Sequence, residues 1–152
     1  MTISFKNALF LCTGNYYRSR YAEEVFNHLA MAERLPWRAF SRGAAKKGSS
    51  KNTGPISPFA MQALRAKGIS AEGAVRYPLP CTLADFEAAQ LAVGLKEAEH
   101  RPLIEQRFPN LPNIIEYWDV DDIELASPST ALARIDDLIE KLISRLLSSD
   151  CA

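Results

Sequence analysis

The apolar positions of the chain follow two rhythms that alternate along its length. Residues 7–11, NALFL, form a short apolar run, the pattern of a buried strand. From 18 to 33 the spacing changes, and Ala22, Val25, Phe26 and Leu29 recur at intervals of three and four, which predicts a helix with one packed face. WRAFS at 37–41 predicts a second strand, ended by Arg42-Gly43. Residues 44–56 are polar, contain glycine and carry Lys46, Lys47 and Lys51, so they read as a surface loop. Ser57-Pro58 places a capping residue and a helix-compatible proline at the next helix start, and Gly68 stops that helix after Lys67. Thr82 caps a short helix through Ala88. LAVGL (91–95) predicts the third strand, LKEAEHRPLIEQRF continues as a helix, and NIIEYW (113–118) predicts the fourth strand. Ser127-Pro128 opens a last helix on which Leu132, Ile135, Leu138, Ile139, Leu142, Ile143 and Leu146 share a face.

Strands that alternate with helices predict an α/β fold with a parallel sheet covered on both sides. No internal repeat, low-complexity tract or linker interrupts the pattern, so residues 1–152 read as a single domain. Sheets of this kind bind ligands at the carboxyl ends of their strands, and Cys12 sits at one such end.

Formal net charge is zero, which argues against a broadly basic nucleic-acid surface. No apolar run approaches the length of a bilayer span. The start, MTISFKNALFLC, has one Lys, a short apolar stretch and a bulky Leu11 before the cysteine. It is not read as a signal or lipidation segment, and a cytoplasmic location is expected. Cys12, Cys81 and Cys151 are widely spaced and fit neither a zinc pattern nor a disulfide framework.

The chemistry concentrates in residues 12–19. Cys12 is followed after five residues by Arg18 and Ser19, where the helix begins. A helix amino terminus offers unpaired N–H groups and partial positive charge, which suits an anion. Gly14 allows a tight turn with amides facing inward, and Asn15 tolerates left-handed backbone and can brace the loop. Arg18 supplies a rigid fork for two oxygens of a phosphoryl group. The result is a cradle for a tetrahedral oxyanion with sulfur at its base. A free thiol has a pKa of about 8.5. Lowering that value by about three takes roughly 4 kcal/mol of thiolate stabilisation. A helix terminus supplies about 0.3–1 kcal/mol, rarely 2. Loop amides, Arg18 and the Ser19 hydroxyl must provide the remainder.

LFLCTGNYYRSRYAEEVF resembles the strand, phosphate loop and first helix of the low-molecular-weight protein tyrosine phosphatase family. WRAFSRG, GPISPFAMQALRAKGI and a late acidic segment add weaker matches over nearly the whole chain. The resemblance implies a three-layer fold, a four-stranded parallel sheet with helices on both faces, which agrees with the four strands counted above. It implies that Cys12 is a nucleophile forming a phosphocysteine and that Arg18 binds phosphoryl oxygens. It also implies that Asn15 shapes the loop through a hydrogen bond to Ser41, and that Ser19 supports the thiolate. Thr13, Gly14, Asn15, Tyr16, Tyr17 and Ser19 would then surround the substrate phosphate. No metal or organic cofactor is implied. The expected partner is a phosphotyrosine protein or a small aryl phosphate, with no nucleic acid and no membrane.

The family also uses a late aspartate, usually before a proline, to protonate the leaving oxygen and then to activate water. In YWDVDDIELASPST the candidates are Asp122 first, Asp121 second and Asp119 third. Ile123 replaces the usual proline, so the acid's loop is expected to be less rigid. Glu124 and Leu125 stand where aromatic residues usually follow, leaving Tyr16, Tyr17 or Trp118 as alternative aromatic walls. Tyr17 stands where many members have a cysteine, so Cys12 has no disulfide partner there. Lys96 stands where an acidic residue is common.

Two alternatives share parts of this reading. A thioredoxin-coupled arsenate reductase uses the same loop but needs relay cysteines near the loop after the third strand, and none occurs between 82 and 150. A catalytically weak phosphoprotein-binding module would need the loop alone. His28 and His100 read as surface or capping histidines, and Cys81 as a packing residue.

Overall fold

The computed structural model describes residues 4–48, 52–71, 76–111 and 114–150. Four strands, β1 (Lys6–Cys12), β2 (Trp37–Gly43), β3 (Leu91–Gly94) and β4 (Ile115–Tyr117), pair in the order β2-β1-β3-β4, every pair parallel. Five helices connect and follow them: α1 (Arg18–Ala32), α2 (Pro58–Ala66), α3 (Leu83–Ala88), α4 (Glu97–Arg107) and α5 (Pro128–Asp150).

Alternation along β1 decides the layers. Ala8 and Phe10 point into one apolar cluster, which takes in Val25 and Phe26 of α1, Leu64 of α2 and Ile135 and Ile139 of α5. Leu9 and Leu11 point into the other, with Phe86 of α3 and Ile104 of α4. All four β1 side chains are fully buried, so the strand reads as a continuous apolar run.

The helix ends form where their local chemistry places them. Ser57 accepts a hydrogen bond from the Phe59 N–H at 3.2 Å, with Pro58 opening α2. Thr82 and Asp85 close a reciprocal capping box at α3. Gly68 takes a left-handed φ of 72° just past α2. The last strand is shorter than NIIEYW implies, and residues 112–113 lie outside the described residues.

Candidate active site

Chain order and sheet order diverge at β1. From β1 the chain moves to β2 on one side, then returns to lay β3 on the other. A crevice therefore opens at the carboxyl ends of β1 and β3, where the connections leave in opposite directions. The loop 13–17 after β1 and the segment 95–100 after β3 meet there.

Asn15 holds the loop in shape. Its φ of 53° lies in the left-handed region, and its side chain is fully buried. Its Nδ2 donates to Ser19 Oγ and to Ser41 Oγ, both at 2.9 Å. Its Oδ1 accepts from the Leu79 N–H at 3.1 Å and from Arg76 Nη1 at 3.0 Å. Behind the loop, a Cβ on Gly43 would sit 2.9 Å from the Thr13 carbonyl oxygen, so the close approach of β2 needs a glycine. Among the described residues, the backbone N–H groups of Gly14, Asn15, Tyr16 and Tyr17 donate to nothing. α1 begins at Arg18 with no side-chain cap on its first turn. Unpaired donors next to an uncapped helix terminus suit an anion.

The sulfur lies at its base. Cys12 Sγ is 2.9 Å from Ser19 Oγ. Because that oxygen already accepts from Asn15, its own proton is free to point at sulfur. With its oxygen held by Asn15, the Ser19 hydroxyl can donate to a Cys12 thiolate, the polarity a thiolate requires.

Arg18 is 2 % exposed and held by α4. Its Nη1 donates to Glu99 Oε2 at 3.1 Å and to the Val120 carbonyl at 3.0 Å, while Nη2 donates to Glu99 Oε1 at 2.7 Å. Burial alone would lower its pKa, but the bond to Glu99 and the charges of Cys12, Glu99 and Asp122 outweigh it and raise it. Burial likewise works against the Glu99 carboxylate, yet hydrogen bonds involving His100, Arg18 and Thr13 pull it well below the usual range. The Thr13 hydroxyl bonds Glu99 and lies 3.2 Å from His100 Nε2. His100 Nδ1 accepts from the Lys96 N–H at 3.0 Å, and burial leads in lowering its pKa.

The acidic segment after β4 is sorted by one lysine. Lys96 Nζ is 2.7 Å from Asp119 and also pairs with Asp121. Asp122 is left facing the site, with Oδ2 3.6 Å from Arg18 Nη2. A turn follows it, the Leu125 and Ala126 N–H groups donating to its carbonyl.

A family model described as low molecular weight phosphotyrosine protein phosphatase matches residues 7–149. The chain belongs to that family. A low molecular weight protein tyrosine phosphatase from T. tengcongensis is 26% identical, with a TM-score of 0.76 over 92% of this chain and 99% of that one. A mutant of the YwlE arginine phosphatase with a phosphorylated active-site serine is 25% identical, TM-score 0.73, over 92% and 95%. A thioredoxin-dependent arsenate reductase from Corynebacterium glutamicum, 18% identical, shares the fold with a TM-score of 0.70 over 98% and 65%. No curated protein matches.

The phosphatase brings Cys12, Thr13, Asn15, Arg18, Ser19, Ser41 and Asp122 together as the sequence suggests. Other expected residues lie elsewhere. Tyr17 is 6 % exposed and Trp118 8 %; both pack into the core, so neither forms an open aromatic wall. Tyr16 is half-buried, its hydroxyl donating to the Thr53 carbonyl at 2.6 Å. Lys46 and Lys47 line a cleft of about 360 Å³ that reaches the loop at Gly14, while Lys51 and Cys151 lie outside the described residues. Cys81 is buried beside Arg107, as a packing residue would be. His100, read as a surface or capping residue, is instead fully buried and bonded to the loop. Sequence reasoning missed Glu99, and also Arg76. The signal for Glu99 was its place in the first turn after β3, at the same sheet edge as Cys12.

Proposed function

We propose that this phosphatase hydrolyses phosphotyrosine in proteins, and small aryl phosphates, by transfer to Cys12 with Asp122 as the acid. The Cys12 thiolate attacks phosphorus in line; an S–P bond forms as the P–O bond to the aryl group breaks. Asp122 gives its proton to the departing oxygen. The resulting carboxylate then takes a proton from water, whose oxygen attacks phosphorus. The S–P bond breaks, and inorganic phosphate leaves with thiolate and carboxylic acid restored. Arg18 and the loop amides hold the charge that spreads over the equatorial oxygens.

One observation supports this reading above the others: Cys12 Sγ lies 2.9 Å from the Ser19 hydroxyl, whose oxygen is held by Asn15, beside a loop whose N–H groups are unpaired. Asp122 is preferred over Asp119 and Asp121 because Lys96 occupies the other two. Among the described residues no helix is long and apolar enough to cross a membrane, and we place the enzyme in the cytoplasm. Cys81 donates little to an arsenate reductase reading, since it is buried against Arg107 with burial raising its pKa.

The test is steady-state turnover of p-nitrophenyl phosphate and of phosphotyrosine, phosphoserine and phosphoarginine peptides. Cys12→Ser should abolish turnover while phosphate binding persists, and Asp122→Ala should slow it far more than Asp119→Ala. Turnover surviving in Cys12→Ser would overturn the assignment; the opposite ranking of the aspartates would move the acid.

A further inference from the structure

We propose that Glu99 is a positioning residue that sets which edge of Arg18 faces the phosphoryl group. This rests on the phosphatase reading above. A guanidinium has five N–H donors in a fixed plane. Glu99 takes one from each terminal nitrogen, and the Val120 carbonyl takes the second on Nη1. Two donors are left, Nε–H and the outer Nη2–H, which lie parallel on one edge. Among the described residues nothing engages Nε, and Asp122 Oδ2 lies 3.6 Å from Nη2. Glu99 therefore grips the end of the fork and turns its side toward the acid and the sulfur-based anion site.

The carboxylate is itself oriented by a directional chain. The Lys96 N–H donates to His100 Nδ1, which leaves the imidazole proton on Nε2 in the neutral ring. Nε2 lies 3.2 Å from Thr13 Oγ1 and donates to it, freeing the Thr13 proton for Glu99. Four residues from two connections thus fix one plane. A guanidinium rotated off that plane keeps its charge but loses the two-point match to phosphoryl oxygens.

The same contacts admit an opposite role, in which the Glu99 carboxylate competes with substrate for Arg18. Calorimetric titration with inorganic phosphate separates the two, using wild type, Glu99→Gln, Thr13→Val, and Arg18→Lys with and without Glu99→Gln. Positioning predicts that Glu99→Gln weakens phosphate binding and lowers kcat/KM for p-nitrophenyl phosphate together, each by roughly 10- to 100-fold. Thr13→Val, which leaves the Glu99–Arg18 pair in place, should move both in the same direction by less. In the Arg18→Lys background the Glu99→Gln effect should vanish, because lysine has no edge to orient. Unchanged or tighter phosphate binding in Glu99→Gln, or a full effect in the lysine background, would overturn the proposal. Should Glu99→Gln not fold, the Thr13→Val titration decides, and unchanged binding there overturns it. Phosphate binding needs no turnover, so a wild type that binds phosphate yet hydrolyses none of the substrates would count against the function and not against the role of Glu99.

Discussion

Truncating Asn15 to alanine should destabilise the phosphatase by about 4–5 kcal/mol, and the structure supplies the sum. Three bonds to neutral partners are lost, the buried ones to Ser19 and Ser41 and a partly buried one from the Leu79 amide. At about 1 kcal/mol each they contribute roughly 3 kcal/mol. The fourth partner, Arg76, is 28 % exposed and keeps the Tyr77 carbonyl, so its loss adds little. Alanine must then hold a φ of 53°, which costs an L-residue without a hydrogen-bonding side chain about 1–2 kcal/mol. A domain with about 5–15 kcal/mol of total stability still folds, with its urea midpoint sharply lowered at unchanged slope. Asn15→Gly loses the same bonds without the steric cost and should recover about 1 kcal/mol. Activity should fall in both variants, because the Ser19 hydroxyl beside Cys12 and the loop around it lose the Asn15 side chain that holds them. Equal midpoints for alanine and glycine would refute the backbone part of the reasoning. A loss under about 1 kcal/mol in Asn15→Ala would refute the hydrogen-bond part.

Replacing Lys96 with methionine frees Asp119 and Asp121. kcat should fall by less than about tenfold, more for phenyl phosphate than for p-nitrophenyl phosphate, since a poor leaving group depends more on its acid; an equal fall for both would remove the lysine from the protonation step. His100, facing Glu99, Arg18 and Asp122, is held below its ordinary value of 6.5 chiefly by burial. Its contribution is therefore complete above about pH 6.5 and is lost as pH falls toward the folded-state value, with a slope of up to about 1.4 kcal/mol per pH unit. Urea midpoints measured from pH 7.5 to 5 should show that slope, and His100→Gln should flatten it. Glu99, held below its usual 4.5 by hydrogen bonds involving His100, Arg18 and Thr13, adds a second loss only below that pH; midpoints extended below pH 4.5 should show it reduced in the His100 variant, with Arg18 and Thr13 sustaining the remainder.

What was legible in the sequence was local. The strand before Cys12, the caps at Ser57 and Thr82, and the glycine and asparagine of the loop announce themselves within a few residues, because their physics acts over a few residues. Glu99 and His100 lie more than eighty positions from their partners Arg18 and Thr13. Their approach depends on β3 lying beside β1, which alternation of strands and helices does not determine. Arg76 reaches Asn15 across sixty-one positions for the same kind of reason. The aromatic residues misled in another way. Tyr17 and Trp118 sit at the site in sequence, but their size makes them more valuable to the core beside Phe10 and Val120 than at a solvent-facing wall.

Two departures that look unrelated in the sequence become one device in the fold. Ile123 removes the ring that would fix the backbone after the acid, and Lys96 places a cation where an anion is common. In the structure Lys96 pairs with Asp119 and Asp121, flanking Val120. The Val120 N–H reaches the Leu95 carbonyl at 2.8 Å, and its carbonyl is held by Arg18. Two ion pairs, one backbone bond and one bond from Arg18 therefore secure the segment that a proline would otherwise stiffen, and they leave Asp122 as the carboxyl beside Arg18. The exchange has a physical signature. A ring is indifferent to ionic strength, whereas pairs between partly exposed groups weaken within a Debye length of about 8 Å at physiological salt. The acid step of this phosphatase should accordingly be more sensitive to salt than its phosphate binding, which depends on buried donors.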